Sequence, residues 1–217
     1  MRSLLIYMKI IFDLDHTLYS TKKLYNTFVE AFKELGLNEK LFHKTFEEAK
    51  RGEDLYNKER HFNLIVEYEP SISHESLEQK WREVLDGSIG FLYPDVFPVL
   101  ERLKEKYSLY ILSYGMENVQ KDKIEGSNIK GLFKEIYITR DIGKTSILEK
   151  ILKEKEKAVF IDDNIEVLSK VRRNFPDVVV VRINRGEGRY KEYPDNSEFD
   201  FSIKNLEELE RIILTEI

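Results

Sequence analysis

Asp13 and Asp15 stand two residues apart directly after the apolar run Lys9–Phe12, and Thr17 follows at the same spacing. In an extended chain, residues i and i+2 point the same way, so both carboxylates face one pocket while Leu14 packs behind them. Further along, Ser113 and Tyr114 follow the run Leu109–Leu112, Lys144 lies within Gly143–Ser146, and Asp162 and Asp163 follow the run Ala158–Ile161. Neighbouring carboxylates repel unless a proton or a cation lies between them. Asp13, Asp15 and Asp162, all ionised, would call for a hard divalent cation, and oxygen ligands favour magnesium. The chemistry open to such a set is phosphoryl transfer. A carboxylate can attack phosphorus and form an aspartyl phosphate. The transferring group spreads negative charge over its oxygens and needs cations and oriented donors around it. Mg²⁺ and Lys144 supply the charge, and the Ser113 hydroxyl supplies a hydrogen bond. A second carboxyl, Asp15, can protonate a leaving oxygen and later take a proton from water.

These residues matter together only if the fold brings them together. Lys9–Phe12, Leu109–Leu112, Ile136–Ile138, Ala158–Ile161 and Val178–Val181 are short, apolar and rich in β-branched residues. Continuous apolar runs of that length read as buried parallel strands. Helical patterns alternate with them: one from Pro94, carrying Val96, Val99, Leu100 and Leu103, then 145–155, 165–175 and 205–214. Strand and helix in alternation predict an α/β core, a Rossmann-like parallel sheet flanked by helices. In such sheets ligands sit beyond the carboxyl ends of the strands, where every residue singled out above falls.

Between residues 20 and 90 no strand pattern occurs. Leu24, Phe28, Ala31, Phe32 and Leu35 recur at helical spacing before Gly36. Further helices are predicted over 39–50, 54–68 and 74–86, with a break at Arg51–Gly52. The reading is therefore an α/β core of residues 1–19 and 91–217, interrupted by an all-helical insert at 20–90. Gly186 to Tyr193 reads as a surface loop.

Composition narrows the field. The chain has 217 residues, 41% hydrophobic and 35% charged, with a net charge of −5 and no cysteine. The absence of cysteine excludes disulfides, thiolate metal sites and a cysteine nucleophile, and fits a cytoplasmic setting. Acidic and basic residues are interspersed, so no basic stripe points to nucleic acid and no polybasic patch to a membrane surface. The start of the chain lacks the pattern of a signal peptide, and no run of about 18 apolar residues predicts a membrane span. The expected partner is a small phosphorylated metabolite, and the expected state a monomer or small homo-oligomer.

The segment Phe12–Leu18, FDLDHTL, resembles the first motif of the haloacid dehalogenase (HAD) superfamily, Asp-x-Asp-x-Thr. LYILSYG, containing Ser113-Tyr114-Gly115, is similar to the second motif, an apolar strand followed by Ser or Thr. Lys144 matches the third-motif lysine, and FIDDN, residues 160–164, the acidic fourth motif. The four stand in the family's order, and the resemblance covers about residues 10 to 182. It implies a phosphatase-like hydrolase with Asp13 as nucleophile and magnesium ligand. Asp15 would be the general acid/base and give its backbone carbonyl to the metal. Ser113 and Lys144 would bind the phosphoryl group, Asp162 the metal, and Thr17 would order the first loop. Asp163 would support Lys144 or the metal shell. The insert falls where family members carry a helical cap of the C1 type. Two departures stand out. Tyr114 occupies a position where Asn is frequent, which puts it on the substrate-facing surface, and Lys144 lies in Gly-Lys-Thr-Ser rather than a Lys-Pro context. The dehalogenases that name the superfamily lack the second aspartate, so Asp15 favours phosphoryl transfer.

Each residue also has a plainer reading. An isolated Asp-x-Asp is usually a polar loop, and a lysine at a helix start is usually solvated; the order of four motifs is what lifts them. Gly143–Ser146 superficially suggests a nucleotide P-loop, but that motif needs glycine where Ile138 stands. His16, His43, His61 and His74 show no ligand spacing and read as surface or packing residues, although His16 lies inside the first motif and is placed to touch substrate. Arg51, Lys58 and Arg60 read first as a solvated face and second as contacts for an anionic substrate. Two other functions stay open: a phosphomutase of the same superfamily, and a non-catalytic phospho-acceptor or binding protein.

Overall fold

The computed structural model describes residues 8–50, 55–152, 157–196 and 198–217. Strand β1 (Lys9–Phe12) is buried at every position, as is β4 (Ala158–Asp162), and β2 (Ser108–Tyr114) is buried over Leu109–Ser113. Strands buried on both faces need neighbours on each edge and helices above and below. With β3 (Glu135–Thr139), β5 (Val178–Ile183) and β6 (Phe201–Ile203) they form one sheet in the order β3-β2-β1-β4-β5-β6, parallel throughout. Phe12 pairs with both Ile111 and Ile161; β4 runs one residue past that level, to Asp162, and β2 three, to Tyr114. The chain winds outward from β1 to β3, then reverses through β4 to β6. The reversal opens a crevice at the carboxyl ends of β1 and β4, the expected ligand position in such sheets.

The flanking helices are α5 (Val96–Leu103), α7 (Thr145–Ile151), α8 (Ile165–Asn174) and α9 (Leu206–Thr215). One core layer packs Leu148, Leu168 and Val171 onto Ile11, Leu112, Phe160 and Val180. Each of these apolar faces follows the predicted periodicity. Three details differ from the sequence reading. Helix α5 begins two residues beyond Pro94, and the Asp95 carboxylate does not cap it. That carboxylate instead accepts bonds from Arg185 Nη1 at 2.9 Å and Leu206 N at 2.6 Å. Helix α7 ends at Ile151 rather than near 155, and 153–156 lie outside the described residues. The three-residue β6 was not foreseen, being too short to show alternation.

The chain forms two compact units. One comprises the described residues of Met1–Ser20, Leu92–Tyr114 and Ile129–Ile217 and holds the sheet. The other is helical and comprises Thr21–Phe91 with Gly115–Asn128. It contains α1 (Thr21–Lys33), α2 (Glu39–Lys50), α3 (Lys58–Tyr68), α4 (His74–Asp86) and α6 (Glu117–Gly126). The predicted break at Arg51–Gly52 lies outside the described residues. Asn57 caps α3 and Ser73 caps α4 through their side-chain oxygens. Aromatic rings fill the interior: Phe28 stacks on Trp81 at 4.4 Å, and Phe32 meets Phe42 and Phe62.

Helix α6, after the second motif, thus joins the helical unit, although sequence alone left it with the sheet. Gly126 at its end shows why it packs there. A Cβ at this position would lie 2.1 Å from the Leu85 carbonyl oxygen, so only glycine allows the approach to α4. Among the described residues, no helix is long and apolar enough to cross a membrane.

Candidate active site

Asp13 is the first residue past β1, and its N–H still bonds to the Ile161 carbonyl at 2.9 Å, which holds it level with the end of β4. The chain then folds back. The Leu14 carbonyl accepts from Leu18 N at 2.9 Å and Tyr19 N at 3.0 Å, while His16 takes a left-handed backbone with φ 57°. Leu14 is fully buried, as its place behind the two aspartates required. Asp13 is buried and Asp15 half-buried.

Asp162 ends β4 and is buried. Its Oδ1 accepts from Asn164 N at 2.8 Å, and the Asn164 side chain caps α8. Lys144 arrives from the other direction, at the N-cap of α7 with φ 58°. The turn before it is built locally: Asp141 N bonds to Thr139 Oγ1, Gly143 N to Asp141 Oδ1, and Lys144 N to the Asp141 carbonyl. The result is a buried ammonium 2.5 Å from Asp13 Oδ1 and 2.7 Å from Asp162 Oδ2. Ser113 lies at the carboxyl end of β2, fully buried and paired with Ile138, followed by half-buried Tyr114.

One cation thus serves several carboxylates. Burial raises the Asp13 carboxyl to about 7; Lys144 works against this, and Asp162 and Asp15 reinforce it. Burial, then Asp162 and Asp13, push Asp163 well above the usual carboxylate range. Burial pulls Lys144 down, but Asp13 and Asp162 outweigh it and hold the ammonium above its ordinary value. The lysine is therefore charged, and it is too little charge for the acids around it.

The oxygens of Asp13, Asp162 and Asp163 lie within 4.8 Å of one another, close enough for one ion to bridge. A buried, under-neutralised, all-oxygen set of this kind fits a hard divalent cation such as magnesium. The Asp15 carboxylate is not in that group, though it is near enough to raise Asp13. Asp163, given only a supporting place from sequence, is in it. The Thr17 side chain is fully buried, and its hydroxyl has no hydrogen-bond partner among the described residues; its carbonyl accepts from Arg185 Nε at 3.0 Å.

Sequence reasoning missed the segment that closes the first loop from behind. Gly186 to Tyr193 read as surface, yet Glu187 accepts hydrogen bonds from His16, Ser20 and Tyr93, and Arg185 stacks over Tyr93 at 4.3 Å while pairing with Asp95. The only local signal was two glycines framing a charged residue; both take positive φ. Of the basic residues considered for substrate, Lys58 is engaged by Glu78 at 2.9 Å, Arg60 lies exposed on α3, and Arg51 lies outside the described residues.

The haloacid dehalogenase-like hydrolase family matches residues 10–168, most of the chain, and the protein belongs to that family. Among curated proteins, one of Bacillus subtilis (strain 168) named "Putative HAD-hydrolase YfnB" is 29% identical over 117 residues, 54% of this chain and 48% of its own. The chain thus matches about half the length of this relative. Among solved structures, a haloacid dehalogenase-like hydrolase from Burkholderia xenovorans LB400 superposes with a TM-score of 0.75 at 19% identity, covering 95% of this chain and 96% of that one. Magnesium-bound YfnB superposes with a TM-score of 0.64 at 20% identity, covering 97% and 99%. At such identities the likeness is one of fold. Proteins described as dehalogenases and others described as phosphatases occur among these neighbours.

Proposed function

We propose that the protein is a magnesium-dependent phosphatase that hydrolyses a small phosphorylated metabolite through an aspartyl-phosphate intermediate. The observation that carries this reading is the convergence of Asp13, Asp162, Asp163 and Lys144 at the crevice between β1 and β4, with Asp15 beside them. In the first step an Asp13 carboxylate oxygen attacks phosphorus, the bond from phosphorus to the alcohol oxygen breaks, and Asp15 gives its proton to that oxygen. In the second, Asp15 takes a proton from water, the water oxygen attacks phosphorus, and the acyl phosphate bond breaks to return Asp13 and release inorganic phosphate. Lys144 donates to the phosphoryl oxygens through both steps, and the Ser113 hydroxyl adds a hydrogen bond. A magnesium ion held by Asp13, Asp162 and Asp163 would keep these carboxylates ionised and offset charge on the phosphoryl group. Asp15 favours this reading over dehalogenation, which calls for no second acid at that position. To the helical unit we assign the selection of substrate.

The test is hydrolysis of p-nitrophenyl phosphate with Mg²⁺, with EDTA, and by Asp13→Asn. Loss of activity on chelation and on substitution supports the mechanism, whereas full activity in Asp13→Asn overturns it.

A further inference from the structure

Glu187 lies outside the four motifs and 171 residues from His16, yet its carboxylate gathers three donors at the back of the first loop. Oε1 accepts from His16 Nδ1 at 3.0 Å and from Tyr93 OH at 2.5 Å, and Oε2 from Ser20 Oγ at 3.0 Å. Burial opposes the charge on Glu187, but the bonds from Tyr93, His16 and Ser20 prevail and hold its carboxyl below the usual range. Burial and then the bond to Glu187 keep the Tyr93 phenol protonated. A carboxylate only accepts, so the His16 nitrogen facing it must carry a hydrogen. The proton is fixed on Nδ1, and Nε2 is the ring nitrogen left to act.

Gly188 shows where the ring lies. A Cβ built on Gly188 would lie 3.0 Å from Asp163 Oδ2, 3.2 Å from His16 Cγ and 3.3 Å from His16 Cδ2. The imidazole and the Asp163 carboxylate therefore border the same space, the one a side chain at 188 would fill, and the ring atoms nearest that space include Cδ2, which is bonded to Nε2. Gly188 has φ 85°, a second reason that no side chain fits there. His16 itself holds φ 57°, a left-handed conformation that a non-glycine residue keeps where its surroundings enforce it. Arg185 secures the same loop independently through the Thr17 carbonyl, so Glu187 is not alone in holding the backbone.

We propose that Glu187 is a positioning residue that fixes His16 with its proton on Nδ1, so that His16 Nε2 contacts the alcohol portion of the phosphomonoester at the edge of the Asp13–Asp163 cluster. This rests on the phosphatase reading for its substrate. His16 is then the residue that touches substrate, and Glu187 acts through it. The recognised class is a phosphomonoester whose alcohol portion carries a polar group, as glycerol phosphate does.

The experiment is a double-mutant cycle with glycerol phosphate and Mg²⁺. His16→Ala is expected to raise KM about tenfold, the worth of one hydrogen bond, with kcat little changed. Glu187→Ala should do the same and add nothing in the His16→Ala background, while Glu187→Gln, which still offers an acceptor, should restore most of the loss. Independent, multiplying effects of the two substitutions, or a loss in kcat alone, would overturn the proposal. The tautomer is read without activity by imidazole nitrogen NMR: His16 protonated at Nδ1 in the wild type, with that preference lost in Glu187→Ala, supports the positioning claim. An Nε2–H tautomer in the wild type sinks it. A wild type inactive on every phosphomonoester would instead refute the phosphatase reading and with it the contact to substrate, leaving the NMR result to decide the positioning.

Discussion

In the sheet unit a buried ammonium meets Asp13 and Asp162 at 2.5 and 2.7 Å with Asp163 beside them, while in the helical unit an equally buried imidazole, His61, meets only neutral partners. His61 Nε2 lies 3.0 Å from Thr45 Oγ1 and Nδ1 lies 2.9 Å from Tyr56 OH, with Phe32, Phe42, Phe46 and Phe62 around the ring. Burial drives its pKa down to about 3, so it stays neutral. Lys144 and His61 are both buried, and a low dielectric strengthens every interaction around them. The helical site is closed, because each ring nitrogen has a partner and no net charge is stranded. The sheet site is open, because its acids outnumber its one cation. The first arrangement builds a core, and the second, on the proposed function, is completed by a bound cation.

The largest way to break this contrast is Asp13→Asn. On the proposed mechanism it should lower hydrolysis of p-nitrophenyl phosphate by at least about a thousandfold, as loss of a nucleophile does. Hydrogen exchange in α1–α4 should not change, because the helical core does not depend on that charge.

Lys144→Ala comes next. It strands buried carboxylates and should destabilise the metal-free protein by about 3 kcal/mol, the cost typical of removing one partner from a buried pair. Thermal melts in EDTA and in Mg²⁺ check this. A divalent cation should recover much of the loss, and if it recovers none, the acidic cluster is not a metal site.

The third prediction turns on opposite pH signs. His61 is lowered from 6.5 to about 3, so between those values the unfolded chain binds a proton that the folded unit refuses. Stability from this group is complete above pH 6.5 and falls by about 1.4 kcal/mol per unit as the pH drops below it. Asp13 is raised from 3.8 to about 7, so the folded state binds the extra proton, and the metal-free sheet unit loses stability as pH rises through that window. Hydrogen exchange in EDTA, followed unit by unit between pH 5 and 8, should show α1–α4 tightening while the ends of β1 and β4 loosen. Parallel trends in both units would remove the distinction drawn here.

The smallest effect is Asn164→Ala. It removes the cap of α8, whose Oδ1 accepts from Glu166 N and Val167 N, and should cost about 1 kcal/mol in chemical denaturation. The backbone N–H that holds Asp162 Oδ1 is kept by alanine, so on the proposed function magnesium binding should change little.

Much of this was legible in the chain itself. Buried parallel strands carry continuous apolar runs, so β1, β4 and β5 announced themselves, and Asp13 and Asp162 fell at the carboxyl edge because that is where a strand leaves the core. The aspartates and Lys144 could be named for the same reason, and the amphipathic periods of α1, α2 and α4 marked a separate helical region. The place of α6 could not be read. Its sequence is weakly patterned, and its affiliation turns on backbone approach at Gly126, a contact between residues about forty apart.

What only the tertiary structure decided has one physical cause: the energy of a charge depends on what surrounds it, and composition does not record surroundings. Asp163 joins the oxygen cluster and Asp15 lies beside it, a difference that spacing along the strand cannot express. Arg185 and Glu187 look like loop charges until the fold carries them back to Thr17, Asp95 and His16. The sequence by itself determined which elements form and which end of the sheet carries the acids. Burial and the meeting of distant segments decided which of those acids stand close enough to share an ion, which histidine stays neutral, and which is bound by Glu187.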